Sequence, residues 1–419
     1  MNYQKGRKTK EVNSVKKREI KVKLPKFLSL KIGNFLQFPT NWFYLPLNFL
    51  LLINLTGCGG VSPTDSPANH GEQAPQESNL TFFNFTLEQA DEMGRPLWKV
   101  RSQRAVYTKE KQLGQVENPV GELYQDGKPI YQIKAETADI EQDGQRLFLR
   151  GRIVATDPLN GIVLQGNELE WLPQEDLLIV RNQLNGTHKQ LQAAAQEARV
   201  KTREQRIEFS GGVVAKSVEP QMQMRTEQLT WLIQEERLIS DRPMQIDRYN
   251  NNQITDRGQG DAAEFNLKTK VATIKKNGQL ALVDPPTQIA SNSMIWDMNA
   301  EIVRTNSPVT VVQSAENVRV TANQGEMKIP QKIVNLRGNV NAIGQRNQSL
   351  QANRLTWYLD KKLLSAEGNV IYRQNDPPIN FTGDTAIGNL ETEDIVVKSG
   401  QSGRRVVTEI IPQDTGIRN

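Results

Sequence analysis

Residues used for metal binding and catalysis are scarce in this sequence, which contains one cysteine and two histidines. Because Cys58 is alone, an internal disulfide is excluded, and neither His70 nor His188 has cysteine or carboxylate neighbours at the spacing of a metal site. A nucleophile elbow, a phosphate-binding glycine loop and a dinucleotide-binding fingerprint are also missing. Acidic pairs such as Glu168 and Glu170 fall on predicted solvent faces. We therefore expect no enzyme activity, no metal and no cofactor.

A charge excess is absent from most of the chain, although the net charge is +5. Residues 1–57 hold eleven basic and two acidic side chains, which leaves 41 basic and 45 acidic side chains after residue 57. The basicity therefore belongs to the leader, and the slightly acidic remainder is not the surface that a nucleic acid requires. We expect no nucleic-acid partner.

Only one long apolar run is present. It covers the 14 residues 42–55, contains Pro46 and is shorter than the roughly 20 residues that a membrane-spanning helix needs. The run fits the core of a signal peptide, and the sequence LTGC at residues 55–58 resembles the bacterial lipoprotein box, in which Cys58 would be lipidated and become the mature N-terminus. The alternative is an uncleaved signal anchor in which Cys58 has no role. Either way, we expect the body to be exported and anchored to a membrane.

The composition changes again after this run. Residues 58–79 are rich in proline, glycine, serine, asparagine and glutamine and contain almost no apolar side chain. Such a segment cannot bury a core and is typical of a flexible tether. The predicted organisation is a leader at 1–57, the tether at 58–79, a repetitive β domain at 80–412 and a disordered tail at 413–419.

One short phrase recurs through the β domain, as in QANRLTW, which ends at Trp357. The final residues of its copies lie 29 to 34 positions apart: Tyr107, Ile140, Trp171, Val200, Trp231, Phe265, Trp296, Met327, Trp357 and Gly388. Ten units of about 31 residues indicate a repetitive architecture in which each unit packs on its neighbours. Because tryptophan ends every second copy in the middle of this series, we expect successive units to place these residues on opposite sheets or layers.

Each unit has the pattern of β-strands. In VNLRGNVNA, residues 334–342, apolar or small side chains alternate with polar ones, as in a strand with one covered face. Asp143 and Gly144 form a favourable hairpin turn. The stretch 189–206 is more helix-like, but it stays in phase with the repeat, so residues 193–195 are assigned to a strand. We predict about 20 strands, mostly antiparallel, with two in each unit.

In four of the units, glycine occurs at the same position inside a predicted strand. This position belongs to the apolar side of the alternation. Glycine weakens a strand interior, so a bend where two sheet faces meet is the best reason for its presence. In three other units a proline follows the equivalent position, at Pro119, Pro243 and Pro308, and the strand is expected to break there. The predicted sheet-corner glycines are Gly151, Gly211, Gly338 and Gly368.

The alternation also assigns a set of side chains to the interior. They either form a solid core, in which each tryptophan fills one layer, or line a continuous apolar groove that is open to a ligand. The candidate groove-lining residues are Tyr107, Leu147, Leu149, Trp171, Ile207, Phe209, Val213, Trp231, Phe265, Trp296, Val334, Leu336, Val340, Leu355, Trp357 and Val370.

The repeated phrases LFLRGRI, IEFSGGV, VNLRGNV and LLSAEGNV resemble those of the OstA-like lipopolysaccharide-export proteins. A single N-terminal anchor before an all-β chain is most similar to the LptC-type component. Over about residues 80–410, the resemblance implies a long antiparallel β-jellyroll, folded over like a taco, with an apolar interior that holds the acyl chains of lipopolysaccharide. It further implies a periplasmic bridge between the permeases of an inner-membrane ABC transporter and other β-jellyroll proteins, joined by edge-strand augmentation.

Two features depart from the LptC-type pattern. First, the chain has ten units and is longer than small family members, which indicates an extended bridge segment. Second, it has a lipoprotein box where LptC-type proteins usually have a transmembrane helix. The favoured function is a lipid-binding bridge component, because a dry trough suits acyl chains that gain about 0.8 kcal/mol for each buried CH₂. The alternative is a structural or adhesive β-solenoid lipoprotein with a solid core and no ligand.

Overall fold

The computed structural model describes residues 79–108, 113–141, 146–375, 378–398 and 407–410. These residues form one sheet of 28 strands in which every pairing is antiparallel. The predicted all-β, jellyroll-like fold is confirmed. The leader, Cys58, residues 58–78 of the predicted tether, the hairpin turn at 143–144 and the tail at 413–419 lie outside the described residues.

The strands follow one another along the chain. The first fourteen are β1 (Asn79–Ala90), β2 (Pro96–Thr108), β3 (Leu113–Glu117), β4 (Val120–Gln125), β5 (Lys128–Lys134), β6 (Thr137–Glu141), β7 (Leu147–Asp157), β8 (Ile162–Leu172), β9 (Leu177–Thr187), β10 (Leu191–Lys201), β11 (Arg206–Ser217), β12 (Met222–Leu232), β13 (Arg237–Ser240) and β14 (Met244–Asn250). The others are β15 (Gln253–Gly260), β16 (Ala262–Asn266), β17 (Val271–Leu282), β18 (Thr287–Asp297), β19 (Ile302–Thr305), β20 (Val309–Gln313), β21 (Val318–Ala322), β22 (Gln324–Lys328), β23 (Ile333–Ile343), β24 (Ser349–Tyr358), β25 (Leu363–Asn375), β26 (Pro378–Asn389), β27 (Asp394–Lys398) and β28 (Val407–Ile410). Single 3₁₀ turns occupy Pro173–Glu175, Ser314–Glu316 and Gln345–Asn347.

The long strands bend in the middle, so that their two halves belong to two facing walls. β12 shows this arrangement, because its end pairs with β13 and its beginning pairs with β14. One wall, here called the tryptophan wall, contains β3, β6, β13, β16, β19, β22, β27 and the matching halves of the long strands. The opposite wall contains β4, β5, β14, β15, β20, β21, β28 and the other halves. Some long strands are interrupted at the bend and therefore appear as two short strands, as β13 and β14 do. When each such pair is counted as one long strand, the number of long strands is close to the two per unit expected from the repeat.

When the two parts of each interrupted strand are counted as one, strands that follow one another in the chain also pair in the sheet, so the described sheet has two ends. Among the described strands, β1 pairs only with β2, and β27 and β28 pair only with β26. The assignment of residues 193–195 to a strand is confirmed, since they lie within β10. The inward side chains of both walls form one apolar cluster that extends from Trp98 to Ala386.

The residues that end the repeated phrases all lie in the tryptophan wall, so the expectation that successive units use opposite sheets or layers is wrong. Trp171 is in β8, Val200 in β10 and Trp231 in β12, and each lies in the half of its strand that belongs to this wall. The reason is that one unit contains two long strands. The chain therefore returns to the same wall, in the same direction, after every unit.

The four glycines assigned to corners lie at β-bulges between the walls. Their φ values are +76, +83, +76 and +78 degrees for Gly151, Gly211, Gly338 and Gly368, and the register of the pairing shifts at each of them. A Cβ on Gly338 would lie 2.9 Å from Nδ2 of Asn323. A left-handed backbone and a close neighbour both favour glycine at this bend.

The broken strands turn the same corner with different residues. Ser240, at the end of β13, accepts a hydrogen bond from the backbone N–H of Arg242, and its hydroxyl lies 2.9 Å from that of Thr226 in the neighbouring strand. Thr305 and Ser291 repeat this contact at 2.8 Å. Hydroxyl groups thus satisfy the corner backbone where Pro243 and Pro308 interrupt the ladder.

Replacing Gly338 with Ala should lower the free energy of unfolding by about 1–2 kcal/mol, the cost of a left-handed conformation for a residue with a Cβ. The matched control is Gly344→Ala, because Gly344 has a φ of −104 degrees and the nearest atom to its added Cβ would lie 3.7 Å away. Urea-induced unfolding measures both changes. Equal stability of the two variants would show that the corner tolerates a side chain.

Candidate functional site

The interior between the walls is the candidate functional site. All of the expected groove-lining side chains except Tyr107 are at most 3 % exposed, and they belong to the single apolar cluster. Tyr107 is half-buried because β2 lies next to the edge strand β1. The sheet therefore brings residues as distant in sequence as Leu147 and Val370 into one continuous interior.

Each tryptophan of the series lies two to three positions before a turn, near the open side of its wall. Two positions before each tryptophan, and therefore closer to the corner, the same strand carries another inward apolar side chain. These side chains are Leu169, Leu229, Met294 and Leu355. At about 3.4 Å per residue, the indole is therefore about 7 Å nearer to the open side than that aliphatic layer. The indole rings form a distinct layer of the interior.

The indoles of this layer contact the opposite wall. Nε1 of Trp171 donates a hydrogen bond to the backbone carbonyl of Leu97 at 3.3 Å. The ring of His188 lies 5.1 Å from that of Trp231, and burial lowers the pKa of this histidine. Trp296 lies near Gly258 of β15, where an added Cβ would be 3.2 Å from the ring. The two walls are therefore packed against each other through this layer.

Three of these indole N–H groups are buried without a hydrogen-bond partner among the described residues. They belong to Trp231, Trp296 and Trp357, and Oε1 of the buried Gln313 is in the same condition. Buried donors and acceptors nearly always have partners, because an unpaired polar group costs free energy. These groups mark positions in the interior where a ligand with polar atoms would be stabilised.

Charged side chains join the two walls along the open side, which we call the lips. Arg203 in the tryptophan wall lies 3.0 Å from Asp126, and Lys332 in the same wall lies 2.8 Å from Asp284. Further along, Glu301 contacts Arg248 at 2.5 Å, and Lys362 contacts Glu316 at 3.2 Å. These four lip pairs hold the turns of one wall against the strands and turns of the other.

One residue of the lip pairs, Arg248, has a second charged partner inside the interior. Arg248 follows the inward phase of β14 and is paired with Asp256 of β15 at 2.5 Å, where their side chains are 13 % and 3 % exposed. The guanidinium of Arg248 also lies over the ring of Trp296, 6.0 Å from its centroid. A buried charge of this kind requires both its partner and its hydrogen bonds.

The outer face of the same hairpin carries a second buried carboxylate, Asp247. Burial alone would raise the pKa of Asp247, but hydrogen bonds from Arg257, Gln245 and Arg225 lower it below its usual value. Arg225 and Arg257 contact its two oxygens at 2.6 Å each. The hydrogen-bond partners of this carboxylate all lie on the outer face, so it takes no part in the interior.

The space left between the inward side chains is small. Between Ile289, Met294 and Leu336 the remaining gap is about 10 Å³, which is at the lower limit for holding one water molecule. Two larger hollows lie between the walls: one of about 80 Å³ near Tyr131 and Val200, and one of about 70 Å³ near the C-terminal end, lined by apolar side chains such as Leu350 and by polar ones such as Glu316. An acyl chain would enter the main interior only if the walls separated.

The first strand leaves part of its inward face uncovered. Leu80, Phe82 and Leu87 of β1 are 57 %, 48 % and 37 % exposed, although they pair with Tyr107, Ala105 and Val100 on the inward side of β2. An exposed apolar strand at a sheet edge is a usual place for another strand to pair. The interior thus ends at an open apolar face.

The described residues contain no group of three histidine, cysteine or acidic side chains that could hold a metal ion. None of their helices is long and apolar enough to cross a membrane.

The fold and the interior define the class: a repetitive antiparallel β-jellyroll with an apolar space between two walls and two sheet edges. Residues 49–176, 163–280 and 313–404 match the family model described as lipopolysaccharide-assembly, LptC-related. The chain belongs to this family, and the expected resemblance is confirmed. No curated protein matches the chain.

Family membership implies a role as a bridge component of lipopolysaccharide transport. The family acts in the periplasm in association with the inner membrane, and membership implies contact with lipopolysaccharide and with other transport components. It is a family of transport and bridge proteins rather than a known enzyme family.

Sequence reasoning missed the lip pairs and the charged pair in the interior. A signal for the second was present, because Arg248 lies two residues after Ile246, in the same inward phase of β14. Asp256 likewise shares the phase of Gly258 and Gly260 in β15. The lip pairs left no local signal, since Lys332 and Asp284 are 48 residues apart.

Proposed function

We propose that this protein holds the acyl chains of lipopolysaccharide between its two walls and passes them along the periplasm. The observation that carries this proposal is the single apolar interior, which extends over the β domain from Trp98 to Ala386. A pocket of ordinary size would suit a small ligand, whereas an interior of this length suits several hydrocarbon chains. Transport of this kind requires burial rather than bond chemistry.

Lipid entry would replace contacts between the walls with contacts to hydrocarbon. Each CH₂ transferred from water gains about 0.8 kcal/mol, so an acyl chain compensates for much of the packing that is lost. The corners provide the hinge, because their bulges join the two halves of each strand. The expected groove-lining residues would then contact the acyl chains on both sides.

The two sheet ends are proposed to join partners by strand pairing. At one end, β1 has one edge that pairs with none of the described strands, and it carries the exposed side chains Leu80, Phe82 and Phe83. At the other end, β27 and β28 border β26. Pairing at these edges would continue the apolar interior into the neighbouring protein, from the permeases of the ABC transporter to downstream β-jellyroll subunits.

The N-terminal segment is proposed to anchor the protein to a membrane, with Cys58 as the lipidated residue. The tether at 58–79 would separate the β domain from that anchor. Two lipid attachments are needed for stable anchoring, because one acyl chain alone binds a membrane only marginally.

A second candidate function is a structural or adhesive lipoprotein with a solid core and no ligand. The close packing of the interior favours it, since Trp171, Trp296 and Trp357 are 0 % exposed. The two candidates differ in one property, the ability of the walls to separate around a lipid.

Photocross-linking in cells distinguishes these functions. A photoreactive amino acid at Leu336, Val213 or Trp357 is expected to form an adduct with lipopolysaccharide, because these side chains face the interior. The matched control is Arg337, which follows Leu336 in β23 and is exposed on the outer face. Adducts at the inward positions and none at Arg337 support the proposal, whereas no adduct at any inward position supports the solid core.

A further inference from the structure

The four tryptophans of the wall are chemically unequal. Trp171 donates its indole N–H to the carbonyl of Leu97, whereas the N–H groups of Trp231, Trp296 and Trp357 have no partner among the described residues. All four rings are at most 3 % exposed. Hydrophobic packing alone explains buried rings, but it does not explain three buried donors, because phenylalanine would fill a similar space without an unpaired N–H.

These donors lie at a defined depth between the walls. The corner is lined by the bulge glycines, the next layer by aliphatic side chains such as Leu229 and Leu355, and the indole layer comes after it. Beyond the indoles, the lips carry cations that are paired with carboxylates, such as Arg203 with Asp126 and Lys332 with Asp284. From corner to lip the chemistry therefore changes from hydrocarbon to neutral hydrogen-bond donor to charged groups.

The same order of groups is found along an acylated anionic amphiphile. Its hydrocarbon tail is followed by the carbonyl group of an ester or amide, and the charged head group lies beyond that carbonyl. With its tails toward the corner, such a molecule places carbonyl oxygens, which accept hydrogen bonds, at the depth of the indole layer. A purely hydrocarbon ligand offers no acceptor at this depth, and an anionic head group would replace the carboxylate partners of the lip cations when the walls separate.

We infer that the indole N–H groups of Trp231, Trp296 and Trp357 donate hydrogen bonds to the ester or amide carbonyl oxygens of the bound lipid. This inference rests on the proposed function, which it extends by naming the linkage that the protein recognises. The three tryptophans set the depth of each lipid and select acylated lipids over lipids whose tails are joined by ether bonds. Trp171 is not assigned this role, because its N–H already has a partner in the carbonyl of Leu97.

The first test observes the indole groups directly. The full chain is labelled with ¹⁵N in its tryptophan side chains and kept in an alkyl glycoside detergent, which carries no carbonyl group. Diester phosphatidic acid is added, and then diether phosphatidic acid of matched tail length. The expected result is a downfield shift of the N–H resonances of Trp231, Trp296 and Trp357 with the diester alone. The Trp171 resonance should respond equally to both lipids, because its bond to Leu97 joins the two walls that any lipid separates.

The second test measures affinity for the same two lipids. Trp→Phe replacement at 231, 296 or 357 should weaken diester binding by about fivefold, the effect of one neutral hydrogen bond, and should change diether binding by less than about twofold. Trp171→Phe is the matched control and should leave the ratio of the two affinities unchanged. Because the first test uses the wild-type chain for binding, a variant that fails to fold does not decide the outcome.

The possible failures are separable. If both lipids bind with equal affinity and the three resonances do not respond, the carbonyl assignment is wrong while lipid binding stands, and buried water is then the partner of the indoles. If neither lipid binds and no adduct forms at Leu336, the proposed function fails together with the inference. An equal shift of the Trp231, Trp296 and Trp357 resonances with both lipids also overturns the inference, because the tails of the diether lipid carry no carbonyl group.

Discussion

Cross-linking the lips between positions 284 and 332 should abolish lipid capture in this part of the interior. The variant carries Asp284→Cys and Lys332→Cys, and a short thiol-specific reagent with a cleavable disulfide joins the two cysteines. The native pair lies 2.8 Å apart, and Asp284 is 81 % exposed, so both positions are accessible to the reagent. We expect the photo-adduct between Leu336 and lipopolysaccharide to fall to background, and to return when the reagent is cleaved.

The physical reason is that lipid has no space in the closed interior. The gap near Leu336 is about 10 Å³, so the walls must separate before hydrocarbon can enter. The lip pairs oppose this motion only weakly, since an exposed ion pair contributes about 0–1 kcal/mol. A covalent bridge, in contrast, does not open, and Lys332 directly precedes β23, which carries Leu336.

A cross-link within one wall is the matched control. Glu264 and Lys275 lie in neighbouring strands of the tryptophan wall, with their charged groups 3.5 Å apart. Joining cysteines at these two positions should leave the Leu336 adduct unchanged, because the walls remain free to separate. If the cross-linked lips still allow full adduct formation, lipid does not enter by separation of the walls.

The repeat and its strands were predictable because they depend on local alternation. The phrase that ends at Trp357 gives the same inward side chains, Leu355 and Trp357, in the sequence pattern and in β24. The corners were recognisable for a related reason, since Gly338 in an apolar phase has a conformational explanation. The unit at Phe265 was not recognisable in this way, because its bulge lies at the same spacing but is formed by Lys276 and Asn277, with φ values of +56 and +57 degrees, instead of glycine.

The relation between the walls was not predictable from a single unit. Tryptophan alternates with smaller residues such as Val200 and Met327, and this alternation suggested opposite sheets or layers. In the structure, large and smaller side chains instead alternate along one wall. Lip pairs join turns that are tens of residues apart, so their partners depend on how the sheet folds over. The unpaired indole groups likewise exist only because the opposite wall covers them without offering an acceptor.

Removing the carboxylate of Asp256 should cause the largest loss of stability by a single substitution at a charged position. In Asp256→Leu, Arg248 keeps its charge in a site where its side chain is 13 % exposed, and only Glu301 at the lip remains as a counter-ion. Breaking a buried pair costs about 3–5 kcal/mol, because the remaining charge is uncompensated. Urea-induced unfolding of the full chain measures this loss.

The double variant Arg248→Met with Asp256→Leu should recover most of that stability, to within about 1 kcal/mol of the native protein, since apolar residues of similar volume often replace a buried ion pair without cost. The exposed pair Arg304 and Glu326 is the control, with side chains 56 % and 30 % exposed, and Glu326→Leu should cost no more than about 1 kcal/mol. Equal losses in the single and double variants at 248 and 256 would show that packing, rather than charge, sets the stability there. Recovery in the double variant would establish that the interior tolerates Arg248 only because Asp256 and Glu301 compensate its charge on both sides of the gap between the walls.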